Sequence, residues 1–263
     1  MRIVVPLKAV PDLVEEIELT ADETGIDREY LTFVLSEWDA QALEEALLLK
    51  DVTGAEVVAV GIADDPEIDQ VLYTALAKGA DAAVKLTGDV AGRTPGPSGM
   101  WTGDRAALLA AYLEGQPADL VVTGVQAADD LDGQLPSMLA ARLGLPHVSV
   151  VVGVEASGET VMARQEFAGG RTHELELQLP AVVGVQSARS APRYAPISRI
   201  KQAMQSGGLG EVAVTPSAAS AGLVVRRMHT PESTGQAEML AGSPADVADR
   251  IVGLLKERGL VKG

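Results

Sequence analysis

A chain of 263 residues, 47% of them hydrophobic, has enough material for one large α/β domain and an appendage. Its formal net charge of −16 argues against a nucleic-acid partner, because gripping phosphates takes a basic patch. The lack of cysteine excludes disulfides, thiol catalysis and iron–sulfur clusters, and the 3 histidines, His147, His173 and His229, lack metal-ligand spacing and read as surface or loop residues.

The first predicted element is a short apolar strand, Arg2 to Leu7, with KAVPD as its exit loop and no signal-peptide pattern ahead of it. No apolar stretch approaches about 18 residues free of polar breaks. Membrane insertion is therefore not expected, and a soluble protein of the cytoplasm or an equivalent reducing compartment is. Glu15 to Glu29 is acidic with alternating apolar residues, a surface hairpin or loop. The run SEWDAQALEEALLLK predicts a helix with Ser36 as its candidate cap. Trp38, Ala42, Leu43, Ala46 and Leu49 fall on one face of it, with Glu44 and Glu45 toward the polar side. A strand from Glu56 to Ile62, a helix ending at Gly79 and a strand from Ala82 to Leu86 follow. Thr87 to Met100, rich in Gly, Pro and Thr, is expected to be an irregular surface loop before the helix GDRAALLAAYLEG.

The most informative stretch comes next. Leu120 to Thr123 is too short for a helix and rich in valine, a buried strand. Gly124 and the polar loop VQAADDLDGQ lead to a second apolar pattern at helical spacing, Leu135, Met138, Leu139 and Leu143, with Pro136 in the first turn. A strand, a polar loop and a helix start make a geometry that binds anions. The helix N-terminus offers unpaired N–H groups and the positive end of its dipole, and ligands of open α/β sheets sit beyond the C-terminal ends of the strands. An ordinary connection between strand and helix would look the same, and neither a phosphate-loop lysine pattern nor GxGxxG is present.

The succession βαβαβαβα predicts a doubly wound parallel sheet with helices on both faces. After Pro146 the texture changes. HVSVVVGVEA, TVMARQEF, THELELQL and PAVVGVQS are strand-like runs parted by turns, with Gly169 and Gly170 suited to a tight hairpin, so an antiparallel extension is expected. Pro192 and Pro196 discourage regular structure around Arg193 and Tyr194, and a short helix should start near Ser198 and end at SGGLG. Val212 to Ala241 reads as an extended arm apart from the strand-like LVVRRMH, and Ser243 to Gly259 as an amphipathic helix capped by Ser243. Val247, Ile251, Leu254 and Leu255 form its apolar stripe, to be laid on its own domain or on a partner subunit.

Several of these blocks stand in a familiar order: KAVPD, SEWDAQALEEALLLK, ALAKGAD, DLVVTGVQAADD…GQ, RQEFAGG, LPAVVGV and PRYAPISRI. Together they resemble the β subunit of electron-transfer flavoproteins from Met1 to about Ser206. The resemblance implies a Rossmann-like, adenine nucleotide α-hydrolase-like domain over 1–206, with a recognition loop near 185–207. Residues 207–263 would be an extended arm and helix docking on the α subunit. It further implies a heterodimeric electron-transport protein whose FAD is held mainly by the α subunit, with AMP in this subunit and no catalytic residue here. Electrons would come from acyl-CoA-type or other flavin dehydrogenases and pass to a downstream quinone oxidoreductase.

Carried onto this chain, the AMP pocket would be lined by Pro6, next to Lys8, by Ser36, Glu37, Trp38 and Asp39, and by Ile62. Its largest part would be Gly124, Val125, Gln126, Ala127, Asp129 and Asp130, with Gly133, Gln134 and Leu135 at the phosphate. AMP-binding members carry Asn and Thr at Gly133 and Leu135, so backbone N–H groups would have to suffice here. Members with a second FAD in place of AMP show a Gly-Asp-Thr run that Asp130, Leu131 and Asp132 do not reproduce, which favours AMP. Leu13 replaces a tyrosine that some members place near the flavin. Ile197 stands where the family has the leucine that anchors on the dehydrogenase, with Arg193 and Tyr194 beside it and only Arg199 and Lys201 of the usual basic cluster. Glu166 matches an acidic residue facing the mobile flavin domain. Two other readings remain: an electron-bifurcating variant with a second FAD and NADH as donor, and a stand-alone adenine-nucleotide enzyme or stress-type protein. The second would use Asp129, Asp130 and Asp132, but its loop has no lysine or arginine.

Overall fold

The computed structural model describes residues 1–65, 67–88, 96, 99–130, 133–216, 223–231, 235 and 237–261. It divides into two units, Met1–Met228 and His229–Gly263. In the first, β1 (Arg2–Pro6), β4 (Glu56–Ile62), β5 (Ala82–Thr87) and β6 (Leu120–Gly124) alternate with α1 (Glu37–Thr53), α2 (Ile68–Lys78), α3 (Thr102–Gly115) and α4 (Leu135–Leu143). A small sheet pairs β2 (Ala9–Pro11) with β3 (Phe33–Leu35) between β1 and α1. Then come β7 (His147–Ser157), β8 (Thr160–Phe167), β9 (Arg171–Gln178), β10 (Ala181–Val185), α5 (Ile197–Ser206) and β11 (Leu209–Ala213).

The main sheet runs β11-β5-β4-β1-β6-β10-β7-β8-β9, parallel from β11 to β7 and antiparallel from β7 to β9. This is an α/β fold with a doubly wound, largely parallel sheet and an antiparallel extension. Strand alternation feeds two cores. Ile3, Val5, Val57, Ala59, Leu120 and Val122 pack with α1 and α2, whereas Val4, Val58, Val60 and Val121 pack with α3 and α4. Burial on both faces is why these strands read as unbroken apolar runs.

Three assignments needed the tertiary structure. PAVVGV returns to the parallel core as β10, between β6 and β7, and its continuous burial suits that place. β7 therefore changes partners along its length, parallel to β10 at one end and antiparallel to β8 at the other. Val150 lies at the irregularity with φ of 62°, a conformation that β-branched residues rarely adopt. KAVPD is not only an exit loop, because Ala9–Pro11 pairs with Phe33–Leu35. Leu209–Ala213 extends the sheet beside β5, whereas the sequence suggested the start of the arm.

Two expectations about α1 are corrected. Ser36 occupies its N-cap position, but the hydroxyl makes no capping bond. Glu44 and Glu45 are not on a wet face: they are 3% and 0% exposed, because the chain beyond β10 lies over them. LVVRRMH forms no strand, although Met228 N–H donates to the Glu23 carbonyl. Most of the loop expected over 87–100 lies outside the described residues. In the second unit, α6 (Pro244–Glu257) begins at Ser243 as expected, with a full capping box shared with Asp246. Among the described residues, no helix is long and apolar enough to cross a membrane.

Candidate functional site

A crevice of about 450 Å³, counting its open mouth, lies beyond the C-terminal ends of β1, β4 and β6. Ligands of doubly wound sheets occupy this position. Pro6, Leu7, Val60, Ile62, Leu109, Ala127 and Leu135 supply its apolar wall, and Lys8, Asp39, Thr102, Arg105, Gln126 and Asp130 its polar one.

Gly124 joins β6 to the loop and lets α1 approach closely. A Cβ there would fall 2.4 Å from Asp39 Oδ1 and 2.9 Å from the Asp39 nitrogen. In that space Asp39 Oδ1 accepts the Gly124 N–H at 3.2 Å, and Oδ2 accepts the Lys8 N–H at 2.9 Å. Burial pushes the Asp39 carboxyl up to about 7. The Lys8 amide and charge and the Gly124 amide oppose that shift, and the nearby Asp130 charge adds to it.

Two cations reach the crevice from outside the loop. Lys8 Nζ holds the loop by its acidic residues, 2.5 Å from Asp129 and 3.0 Å from Asp130. Arg105 of α3 makes a two-pronged pair with Asp65, one contact at 2.7 Å, while its Nε is buried without a hydrogen-bond partner among the described residues. Burial works to lower the Arg105 guanidinium, but the charge and hydrogen bonds of Asp65 prevail and raise it above the ordinary arginine value. Both cations are thus offset by carboxylates.

The structure brings Pro6, Asp39, Ile62, Gly124, Gln126, Ala127, Asp130 and Leu135 together at the crevice, with Asp129 beside it through Lys8. Val125 donates its N–H to the Val185 carbonyl. Gly133, at φ of 58°, packs against Gln126, and Gln134 is the N-cap of α4. Ser36, Glu37 and Trp38 adjoin Asp39 without lining the crevice, and the buried Ser36 hydroxyl has no partner among the described residues. Leu131 and Asp132 lie outside the described residues. Sequence reading missed Asp65, Thr102, Arg105 and Leu109. Asp104 and Arg105, charges in the first turn of the alanine- and leucine-rich α3, were the available signal for Arg105, since charges are seldom buried without partners.

A second cluster follows β10. Arg193 is turned inward, pairing with Glu44 and Asp51, each at 2.9 Å. Tyr194 and Ile197, the latter opening α5, are 79% and 65% exposed. Glu166 is exposed on β8, opposite Thr172 of β9, and Leu13 is exposed after β2. No group of three or more His, Cys, Asp or Glu side chains arranged to hold a metal ion occurs among the described residues.

Comparison with known proteins gives a consistent picture. The electron transfer flavoprotein domain model matches residues 24–218. The chain is 32% identical to electron transfer flavoprotein subunit beta of Methylophilus methylotrophus, covering 98% of both chains. It is 31% identical to the subunit beta of Clostridium acetobutylicum, again over 98% of each. It is also 29% identical to the caffeyl-CoA reductase–Etf complex subunit CarD of Acetobacterium woodii, over 99% of this chain and 100% of that one.

Proposed function

The chain belongs to the electron transfer flavoprotein family, in the line of its β subunits, and from that premise we propose that it binds AMP and docks dehydrogenases. FAD, held mainly by a companion α subunit, would then carry electrons from acyl-CoA-type or similar flavin dehydrogenases to a quinone oxidoreductase. The crevice is the observation that carries the AMP reading. Its apolar wall suits a base, and the start of α4, with Pro136 in its first turn, suits a phosphate. Because Asp65, Asp129 and Asp130 offset Lys8 and Arg105, the α4 amides would meet the phosphate.

Ile197 is the proposed anchor on the dehydrogenase, with Tyr194 beside it. Burying one aliphatic side chain is worth about 1.5–3 kcal/mol, enough to select a partner and still release it quickly. Glu166 would face the flavin-bearing domain. The arm and α6 would dock on the α subunit, which is supported by Ile251 and Leu254 being 45% and 37% exposed on an amphipathic helix.

Nucleotide identification tests this reading. The chain expressed alone should be colourless, and the heterodimer should release one AMP and one FAD. Two FAD per heterodimer and no AMP would overturn it in favour of the bifurcating arrangement, the reading that the likeness to a reductase–Etf complex subunit supports.

A further inference from the structure

The segment between β10 and α5 has neither helix nor strand from Ala188 to Pro196 apart from bends, yet much of its backbone is held. Gln41 Oε1 accepts the Ala188 N–H at 3.0 Å, Glu45 Oε2 the Arg189 N–H at 3.0 Å, and Glu44 Oε2 the Arg193 N–H at 2.8 Å. Both carboxylates also bind the side chain of the residue whose amide they hold. Arg189 Nε donates to Glu45 Oε1 at 2.8 Å, and Arg193 Nε donates to Glu44 Oε1 at 3.0 Å. Position 41 lies one helical turn before positions 44 and 45 on α1, so a single helix face grips the segment.

The arrangement is costly for a mere tether. Glu44 and Glu45 are almost fully withdrawn from water, and a buried ion pair replaced as a whole by apolar residues of similar volume often costs no stability. Glu45 also accepts the Val154 N–H of β7 at 2.7 Å, which ties the segment to the sheet through one carboxylate. The stem of Arg189 lies over Gly153, where an added Cβ would come within 3.0 Å of Arg189 Cγ. What such a network provides over an apolar contact is one defined backbone course. Pro192 and Pro196 narrow that course further.

We propose that Gln41, Glu44 and Glu45 are positioning residues of the docking surface. They fix the chain from Ala188 to Arg193 so that Tyr194 and Ile197, immediately beyond, meet a dehydrogenase already in place. The inference rests on the docking role given above to Ile197. Arg193 is then part of the clamp, and recognition falls to the exposed residues that follow it. Presenting an ordered segment lowers the entropy lost on association, so the clamp acts on encounter and leaves the electron-transfer step alone.

The test uses the heterodimer, with Glu44→Gln, the milder Gln41→Ala, and Ile197→Ala as a control for docking. Two quantities are read: amide hydrogen exchange at Ala188, Arg189 and Arg193, and flavin reduction by an acyl-CoA dehydrogenase charged with its acyl-CoA. Glu44→Gln should speed exchange at Arg193 about fivefold or more, as for loss of one net hydrogen bond. It should raise the half-saturating concentration of heterodimer by a similar factor, with the maximal rate and flavin content unchanged. Gln41→Ala should do the same more weakly at Ala188. If Ile197→Ala raises the half-saturating concentration but the clamp variants do not, the positioning role is overturned and docking stands. Unchanged exchange in the clamp variants overturns it as well. If Ile197→Ala has no effect, docking itself fails and the inference goes with it.

Discussion

Both α1 and α6 begin at a serine, and the two helices are held in opposite ways. Ser243 spends its hydroxyl on α6: its oxygen accepts the Asp246 N–H at 3.3 Å, and the Asp246 carboxylate accepts the Ser243 N–H at 3.0 Å. Ser36 makes no capping bond to α1, and its hydroxyl is buried without a partner among the described residues. The helix with the cap has no buried residue, whereas the helix without one buries Ala42, Leu43, Ala46, Leu47 and Leu49 against the sheet. Local hydrogen bonds must define a helix that buries no residue of its own. Tertiary burial defines one that does, and it leaves the side chains at its start available for other work.

The comparison is broken most severely at the middle of α1. If burial and its internal network hold that helix, Glu45→Ala should destabilise the protein by roughly 3–5 kcal/mol in denaturant unfolding, because it orphans the buried Val154 amide and the part-buried Arg189 amide and removes the nearer of the carboxylates that pair with Arg189. A loss below about 1 kcal/mol would show that water replaces the carboxylate without penalty.

Asp39 sharpens the contrast within the same helix, since among the described residues backbone amides hold it directly, whereas Glu44 and Glu45 also have arginines. With its pKa raised from 3.8 to about 7, the folded protein binds a proton more readily than the unfolded chain. The stability this group contributes is therefore complete below about pH 4 and is lost as pH rises to about 7. Asp39→Asn cannot titrate. Its stability relative to the parent should climb across that window by at most about 1.4 kcal/mol per pH unit and level off above it. A difference that is flat with pH would place the proton elsewhere.

What could be read from the sequence divides along the same line. The strands β1, β4, β5 and β6 and the anion-binding form of Gly124–Leu135 were legible because each is a local pattern: an apolar run, or a strand followed by a loop and a helix start. β11, an edge strand of mostly exposed residues, and the three-residue β2 and β3 carry no such pattern. Glu44 and Glu45 looked like an ordinary wet face because the residues that hold them arrive 109 to 149 positions later. Arg105 and Asp65 are 40 residues apart, so no local pattern joins the buried arginine to its partner. Local patterns thus located the crevice, but its charge balance is set by long-range pairs.

A smaller effect is expected at the start of α6. Ser243→Ala should cost about 1 kcal/mol of helix stability, seen as lost helicity and faster amide exchange in the first turn. The capping box should also loosen in acid, because the Ser243 hydroxyl and amide hold the Asp246 carboxyl below its ordinary range, and the bonds go as it takes up a proton.

The smallest effect is expected at Ser36, and it is the most discriminating because the same substitution is made at the same helical position. Ser36→Ala removes no capping bond and relieves a buried hydroxyl of its unmet hydrogen bonds, so unfolding free energy should stay within about 0.5 kcal/mol or rise slightly. If Ser36 instead proved as costly as Ser243, the hydroxyl would have to be capping α1 in solution, and burial would no longer be what holds the helix.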